Sequence, residues 1–209
     1  MQAYEAILFD FDGVLVDSEP LHFACWRQVL LTVGIDLDWE SYRDHCIGVA
    51  DRDMARWLAT RARRPITPEQ IWELYPRKSR LYLERVASDP PFPEATRRLL
   101  PALSRSYKLA VVSSSGRSEV EPLLVAGGLR PYFATIVAGE DVERHKPAPE
   151  PYLTAARRLG VRRALVVEDS EPGAASGLAA GFDVLRIERA DRLSEALTAY
   201  LKLGPQNGS

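Results

Sequence analysis

The chain has 209 residues, 46% of them hydrophobic and 27% charged, with a formal net charge of -2. A chain this long buries enough surface to fold without a metal or disulfide staple. Its balanced charge argues against a basic field for nucleic acid. No apolar run approaches the roughly 18 residues of a membrane span, and the N-terminus lacks the basic and apolar regions of a signal peptide. The reading is a soluble cytoplasmic protein, monomer or weak dimer, with no membrane and no nucleic acid among its partners. Cys25 and Cys46 have no metal or redox spacing and read as reduced thiols.

In chain order, residues 5–9 (EAILF) form the first strand-length apolar run and end at Asp10. Four more runs follow, at 108–112, 133–137, 164–167 and 183–187. Their near-continuous hydrophobicity predicts strands buried on both faces. Helical patterns lie at 94–105, 117–126, 149–159, 172–180 and 191–202, several of them stopped by Gly. The alternation predicts an α/β fold with a doubly wound, Rossmann-like parallel sheet. One interval breaks the rhythm. Residues 20–86 are rich in helix formers, carry all four Trp and show no strand, so they predict an inserted helical unit. Its borders fall at 14–20 and at the Pro-rich 88–93. The expected organisation is a core from 1–15 and 90–204, a helical cap over 16–89 and a disordered tail at 205–209.

In such a sheet, ligands bind beyond the carboxyl ends of the strands. The polar residues expected there are Asp10, Asp12, Ser113–Ser115, Glu168 and Asp169, joined by Lys146 from the loop after the third strand. Lys146 stands out because the chain has 23 Arg and only 4 Lys. Acids this close repel one another unless a cation lies among them, and an all-oxygen donor set suits Mg²⁺. A phosphate would explain the rest, with Ser113 as hydrogen-bond donor and Lys146 as counter-charge.

These residues sit in four motifs that resemble those of the haloacid dehalogenase superfamily. Phe9-Asp10-Phe11-Asp12-Gly13-Val14-Leu15-Val16-Asp17-Ser18 is similar to the first, Ser113 after a strand to the second, Lys146-Pro147 to the third and Glu168-Asp169 to the fourth. The insertion resembles the C1 cap, and the nearest branch is the β-phosphoglucomutase and sugar-phosphate phosphatase group. The resemblance implies Asp10 as the nucleophile that forms an aspartyl phosphate, and Asp12 as general acid and base. It implies Mg²⁺ on Asp10, the Asp12 carbonyl, Asp169 and Glu168, the last a direct ligand or one step removed. Ser113, Ser114 and Lys146 would hold the phosphoryl group.

In the cap, His22 and Trp26 resemble an H-x-x-x-W stretch, and residues 48–53 resemble a substrate-reading loop. The mutase carries a basic residue where this chain has Asp51, with Arg52 one place later. Candidate substrate contacts are His22, Arg52, Lys78 and, after the serine cluster, Arg117. Lys78, flanked by Arg77 and Arg80, reads equally as part of a solvated basic face. The expected function is an Mg²⁺-dependent phosphatase for a small phosphorylated metabolite, with a sugar phosphate the leading class. The alternative is a β-phosphoglucomutase-like phosphotransferase. A dehalogenase or a non-catalytic binding protein ranks lower.

Overall fold

The structure is a computed structural model and describes residues 4–47, 51–88 and 90–202, leaving aside the side chains of 51–53. The chain divides into two compact units, Met1–Asp17 with Pro90–Ser209 and Ser18–Asp89.

The first unit is built on five parallel strands: β1 (Ala6–Phe9), β2 (Lys108–Val112), β3 (Thr135–Val137), β4 (Ala164–Glu168) and β5 (Asp183–Arg186). The spatial order is β3-β2-β1-β4-β5. The chain winds outward from β1 through β2 to β3, then returns to place β4 and β5 on the other side. The topological switch point therefore lies at β1, where this class of sheet binds ligands. Phe9 is level with Val111 on one side and Val167 on the other. Both faces of β1, β2 and β4 are covered, which is why their sequences are apolar apart from the end residues Lys108 and Glu168.

The edge strand β5 departs from that expectation. Its residues are exposed or half-buried, unlike the other edge strand, β3, where Ile136 and Val137 are buried. β3 is also shorter than its apolar run. A 3₁₀ turn occupies Arg130–Tyr132, and Phe133 turns inward to meet Phe9 edge-on at 6.2 Å.

Among the described residues, the second unit holds five α-helices: α1 (Glu19–Leu30), α2 (Trp39–His45), α3 (Asp51–Ala59), α4 (Pro68–Trp72) and α5 (Tyr75–Ser88). Local chemistry sets their ends. Asp38 accepts the Ser41 N–H at the start of α2, and Thr67 with Gln70 forms a reciprocal cap before α4. A common apolar core, including Trp26, Leu30, Met54, Leu58 and Ile71, holds them.

Among the described residues, the first unit adds five α-helices around its sheet: α6 (Glu94–Leu103), α7 (Arg117–Ala126), α8 (Glu150–Leu159), α9 (Glu171–Ala179) and α10 (Leu193–Leu201). α8 lies against β1, β2 and β3, while α9 lies against β4 and β5. Gly177 allows α9 that approach, since a Cβ there would meet Val184 at 2.9 Å. The tail 205–209 and the Gly48–Ala50 stretch of the expected substrate loop lie outside the described residues.

Candidate active site

Asp10 is the first residue past β1, and its N–H still donates to the Val167 carbonyl at 2.9 Å. The chain then turns tightly, with Leu15 N–H donating to Phe11 and Gly13 N–H to Val16. Gly13 has φ +77°, and a Cβ at that position would lie 2.0 Å from Asp169 Oδ2. Glycine is needed there for both conformation and space. Asp12 pairs with Val16 in an isolated bridge, and its Oδ2 accepts the Ser115 hydroxyl at 2.9 Å.

Past β2, Ser113 is buried and its N–H donates to the Val137 carbonyl. Its Oγ accepts the Ser115 N–H at 3.0 Å, closing a small turn. Ser114 is exposed on that turn. Past β3, Lys146 returns to the strand ends with its side chain 7% exposed. Its ammonium donates to Asp10 Oδ1 at 2.5 Å, Glu168 Oε1 at 2.7 Å and the Val112 carbonyl at 3.0 Å. Two carboxylates tie down the loop that carries it. Asp141 accepts the Ala138 N–H and the guanidinium groups of Arg117 and Arg158, and Glu150 accepts the N–H groups of Glu143 and Arg144.

Glu168 ends β4 and is fully buried. Its Oε1 also accepts the Tyr152 hydroxyl at 2.7 Å, and its Oε2 accepts Ser170 N–H and Oγ–H. The next residue, Asp169, has its backbone carbonyl held by Arg186 from β5.

Burial opposes charge throughout this cluster. At Lys146 and Glu168 the desolvation penalty is outweighed by their pairing, so the lysine is held above its ordinary pKa and Glu168 below its own. Asp10 is pushed well above the usual carboxylate range by burial, with further opposition from Glu168. Asp169 is pushed up to about 6 by burial and then by Glu168. One lysine cannot balance three carboxylates, so the charged forms of Asp10 and Asp169 call for a further cation. Oxygens of Asp10, Glu168 and Asp169 all lie within 4.8 Å of one another. Hard oxygen donors with a charge surplus fit Mg²⁺. Both oxygens of Glu168 already take protein donors, so the carboxylates that best fit the ion are Asp10 and Asp169. Asp12 is outside this side-chain group, which leaves its carbonyl as its expected contribution.

Asp10, Glu168 and Lys146 thus meet directly, with Asp169 within reach and Ser115 tying Asp12 to the Ser113 turn. The remaining expected residues stand as follows. Arg117, expected at substrate, is engaged elsewhere: its guanidinium binds Asp141 at 2.6 Å and the Ile136 carbonyl at 3.0 Å. Lys78 is not part of a solvated basic face. It is 2% exposed and faces the rings of Tyr82, Tyr75 and Trp26 at 5.3, 5.4 and 5.9 Å, where cation–π attraction offsets desolvation. His22 stacks on Tyr82 with centroids 4.2 Å apart. The Arg52 side chain lies outside the described residues. Sequence reasoning missed Ser115 as a partner of Asp12, although its place two residues after Ser113 was a signal. It also missed Tyr152, whose ring is hard to tell from core packing on α8.

A family model described as haloacid dehalogenase-like hydrolase matches residues 7–187. A fructose-1-phosphate phosphatase of Escherichia coli K12 is 31% identical over 192 residues, covering 89% of this chain and 97% of the relative. A phosphorylated carbohydrates phosphatase of Thermotoga maritima is 32% identical over 182 residues, covering 86% and 82%. The crystal structure of CbbY from Rhodobacter sphaeroides in complex with phosphate superposes with a TM-score of 0.75 at 28% identity, covering 87% of this chain and 85% of that one. With the match running from the first strand to the last and the carboxylate–lysine cluster at the strand ends, the chain belongs to the haloacid dehalogenase-like hydrolases.

Proposed function

We propose that the protein is an Mg²⁺-dependent phosphatase that hydrolyses a small phosphorylated sugar through an aspartyl-phosphate intermediate. The observation that carries this reading is the bridge from Lys146 to Asp10 and Glu168 at the switch point of the sheet. The phosphatase relatives that act on fructose 1-phosphate and phosphorylated carbohydrates support the substrate class. Cys25 and Cys46 are buried and form no disulfide, which accords with a reducing, cytoplasmic setting. Among the described residues no helix is long and apolar enough to cross a membrane.

In this mechanism an Asp10 oxygen attacks phosphorus in line with the ester oxygen, and the P–O ester bond breaks. Asp12 donates its proton to the departing sugar oxygen. Asp12 then takes a proton from water, which attacks the aspartyl phosphate, releasing inorganic phosphate and restoring Asp10. Lys146 and Ser113 hold the phosphoryl oxygens as negative charge spreads over them. Mg²⁺, held by Asp10, Asp169 and the Asp12 carbonyl, would supply charge neutralisation between nucleophile and phosphoryl group.

A panel of phosphorylated metabolites incubated with Mg²⁺ and assayed for free phosphate tests the reading. Sugar phosphates are expected to lead. Conversion of β-glucose 1-phosphate to glucose 6-phosphate, primed by the 1,6-bisphosphate and without free phosphate, would replace hydrolysis with a mutase reaction. Inactivity on every phosphate ester would overturn both.

A further inference from the structure

The proposed chemistry leaves Tyr152 without a role. It lies in the first turns of α8, fully buried among the apolar residues that α8 presses on the sheet, Leu8 and Val112 included. A phenylalanine would fill that space equally well, so the hydroxyl needs its own explanation. It donates to Glu168 Oε1 at 2.7 Å, the same oxygen that receives Lys146. The ring also faces the Lys146 ammonium at 5.1 Å. Burial, and then the Glu168 charge, push the phenol well above its ordinary pKa, so it remains a donor.

We infer that Tyr152 is a positioning residue for the reaction. Its hydroxyl fixes the orientation of the Glu168 carboxylate, and its ring supports the Lys146 ammonium that Glu168 aims at Asp10. Glu168 then serves as a post for the lysine, with Ser170 on one oxygen and Tyr152 with Lys146 on the other. Asp10 and Asp169 remain for the metal. The inference rests on the reading above insofar as Lys146 holds the transferring phosphoryl group.

The test uses the full chain with Tyr152→Phe, which keeps the ring, and Tyr152→Leu, which removes it. With only 4 Lys in the chain, ¹⁵Nζ-lysine labelling gives a simple spectrum, and the Lys146 signal is identified by its loss in Lys146→Ala. In metal-free wild type that ammonium is expected to be protected from exchange by its three acceptors. In Tyr152→Phe it shifts and exchanges faster. kcat for p-nitrophenyl phosphate falls about tenfold, the scale of one lost hydrogen bond to a charged group. KM, and Mg²⁺ affinity by calorimetry, stay within about twofold, because neither metal-facing carboxylate is touched. Tyr152→Leu adds a loss of thermal stability. An unchanged Lys146 signal with unchanged kcat would reduce Tyr152 to core packing. A tenfold loss of Mg²⁺ affinity would make Glu168 a metal ligand and overturn the post. A wild type that protects Lys146 but hydrolyses no phosphate ester would sink the phosphatase reading alone, and the resonance would still decide the case of Tyr152.

Discussion

Gly173 separates two physical effects of opposite sign. It is the third residue of α9, where replacing glycine with alanine in a helix gains about 0.5–1 kcal/mol from backbone entropy. Sterics say the reverse. A Cβ on Gly173 would lie 1.8 Å from Glu168 Oε1, 2.0 Å from its Cδ and 2.3 Å from Oε2. Contact between such atoms is comfortable only near 3.5–4.0 Å. Glu168 would have to retreat by well over an ångström, and it is fully buried with donors on both oxygens. Losing even two of these hydrogen bonds, at about 1.5–3 kcal/mol each for a charged group, exceeds the helix gain. A net loss of about 3 kcal/mol is expected for Gly173→Ala. At about 2.1 cal/mol/K per residue, a chain of this length melts with an entropy near 0.4 kcal/mol/K, so Tm should fall by about 7 °C. Calorimetry reads that shift, and turnover of p-nitrophenyl phosphate should fall with it because Lys146 loses its post. A variant with raised Tm and full turnover would show that Glu168 is not packed on α9 as described.

Asp10→Asn should abolish turnover and any acid-stable, base-labile phosphoenzyme. Because burial holds the Asp10 carboxyl well above its usual range, the charged form opposes folding, and the variant should melt no lower than wild type in metal-free buffer at neutral pH. A folded variant that still releases phosphate would remove Asp10 as nucleophile. Chelation with EDTA should silence the enzyme, and Mg²⁺ should restore it better than Ca²⁺, which takes more ligands at longer bonds; full activity in EDTA would refute the site. Asp141 has its carboxyl held near pH 2 by hydrogen bonding from Arg158, with Ala138 N–H and Arg117 adding to it. The folded value lies below the ordinary aspartate value of 3.8, so Asp141 contributes stability above that pH that is lost as pH falls through about 2. Asp141→Asn should flatten the dependence of urea midpoint on pH between about 4 and 2, and identical slopes would show that the contact does not distinguish folded from unfolded chain.

Strands β1, β2 and β4 were legible because their residues are almost all apolar on both faces, a pattern that the edge strand β5 does not share. β5 was found by its neighbours and by the glycine before it, and its half-exposed residues contradict the pattern used to find it. The helical insertion was legible as helix by composition, but its division into five helices depends on caps such as Asp38 and Thr67, which are weak signals in isolation. The polar residues at the strand ends were legible because strand ends, acids and one exceptional lysine coincide. What could not be read was pairing at a distance. Arg117 and Asp141 are 24 residues apart, and nothing local says that the guanidinium belongs to that carboxylate rather than to a ligand. The solvated-face reading of Lys78 failed for the same reason. Its neighbours in sequence are arginines, while its neighbours in space are the rings of Trp26, Tyr75 and Tyr82.

Sheet register explains why a lysine, and not one of the many arginines, occupies position 146. Phe9 is level with Val111 on β2 and Val167 on β4, so one step further along the sheet Asp10 is level with Val112 and Glu168. Those three residues are the three acceptors of the Lys146 ammonium. The lysine reads a single rung across three adjacent strands, taking a carbonyl from the first and a carboxylate from each of the other two. An ammonium suits that task because it is compact and its three protons can point to three separate acceptors. A guanidinium presents its donors in a flat fork, which matches two oxygens of one carboxylate but not three acceptors spread across a rung. The same geometry suits the proposed nucleophile, which follows the central strand. Only a residue beyond β1 has β2 on one side to supply Ser113 and the Val112 carbonyl, and β4 on the other to supply Glu168 and Asp169. The switch in winding direction at β1 places those strands on either side of Asp10, so the order of the sheet and the chemistry at its edge have one cause.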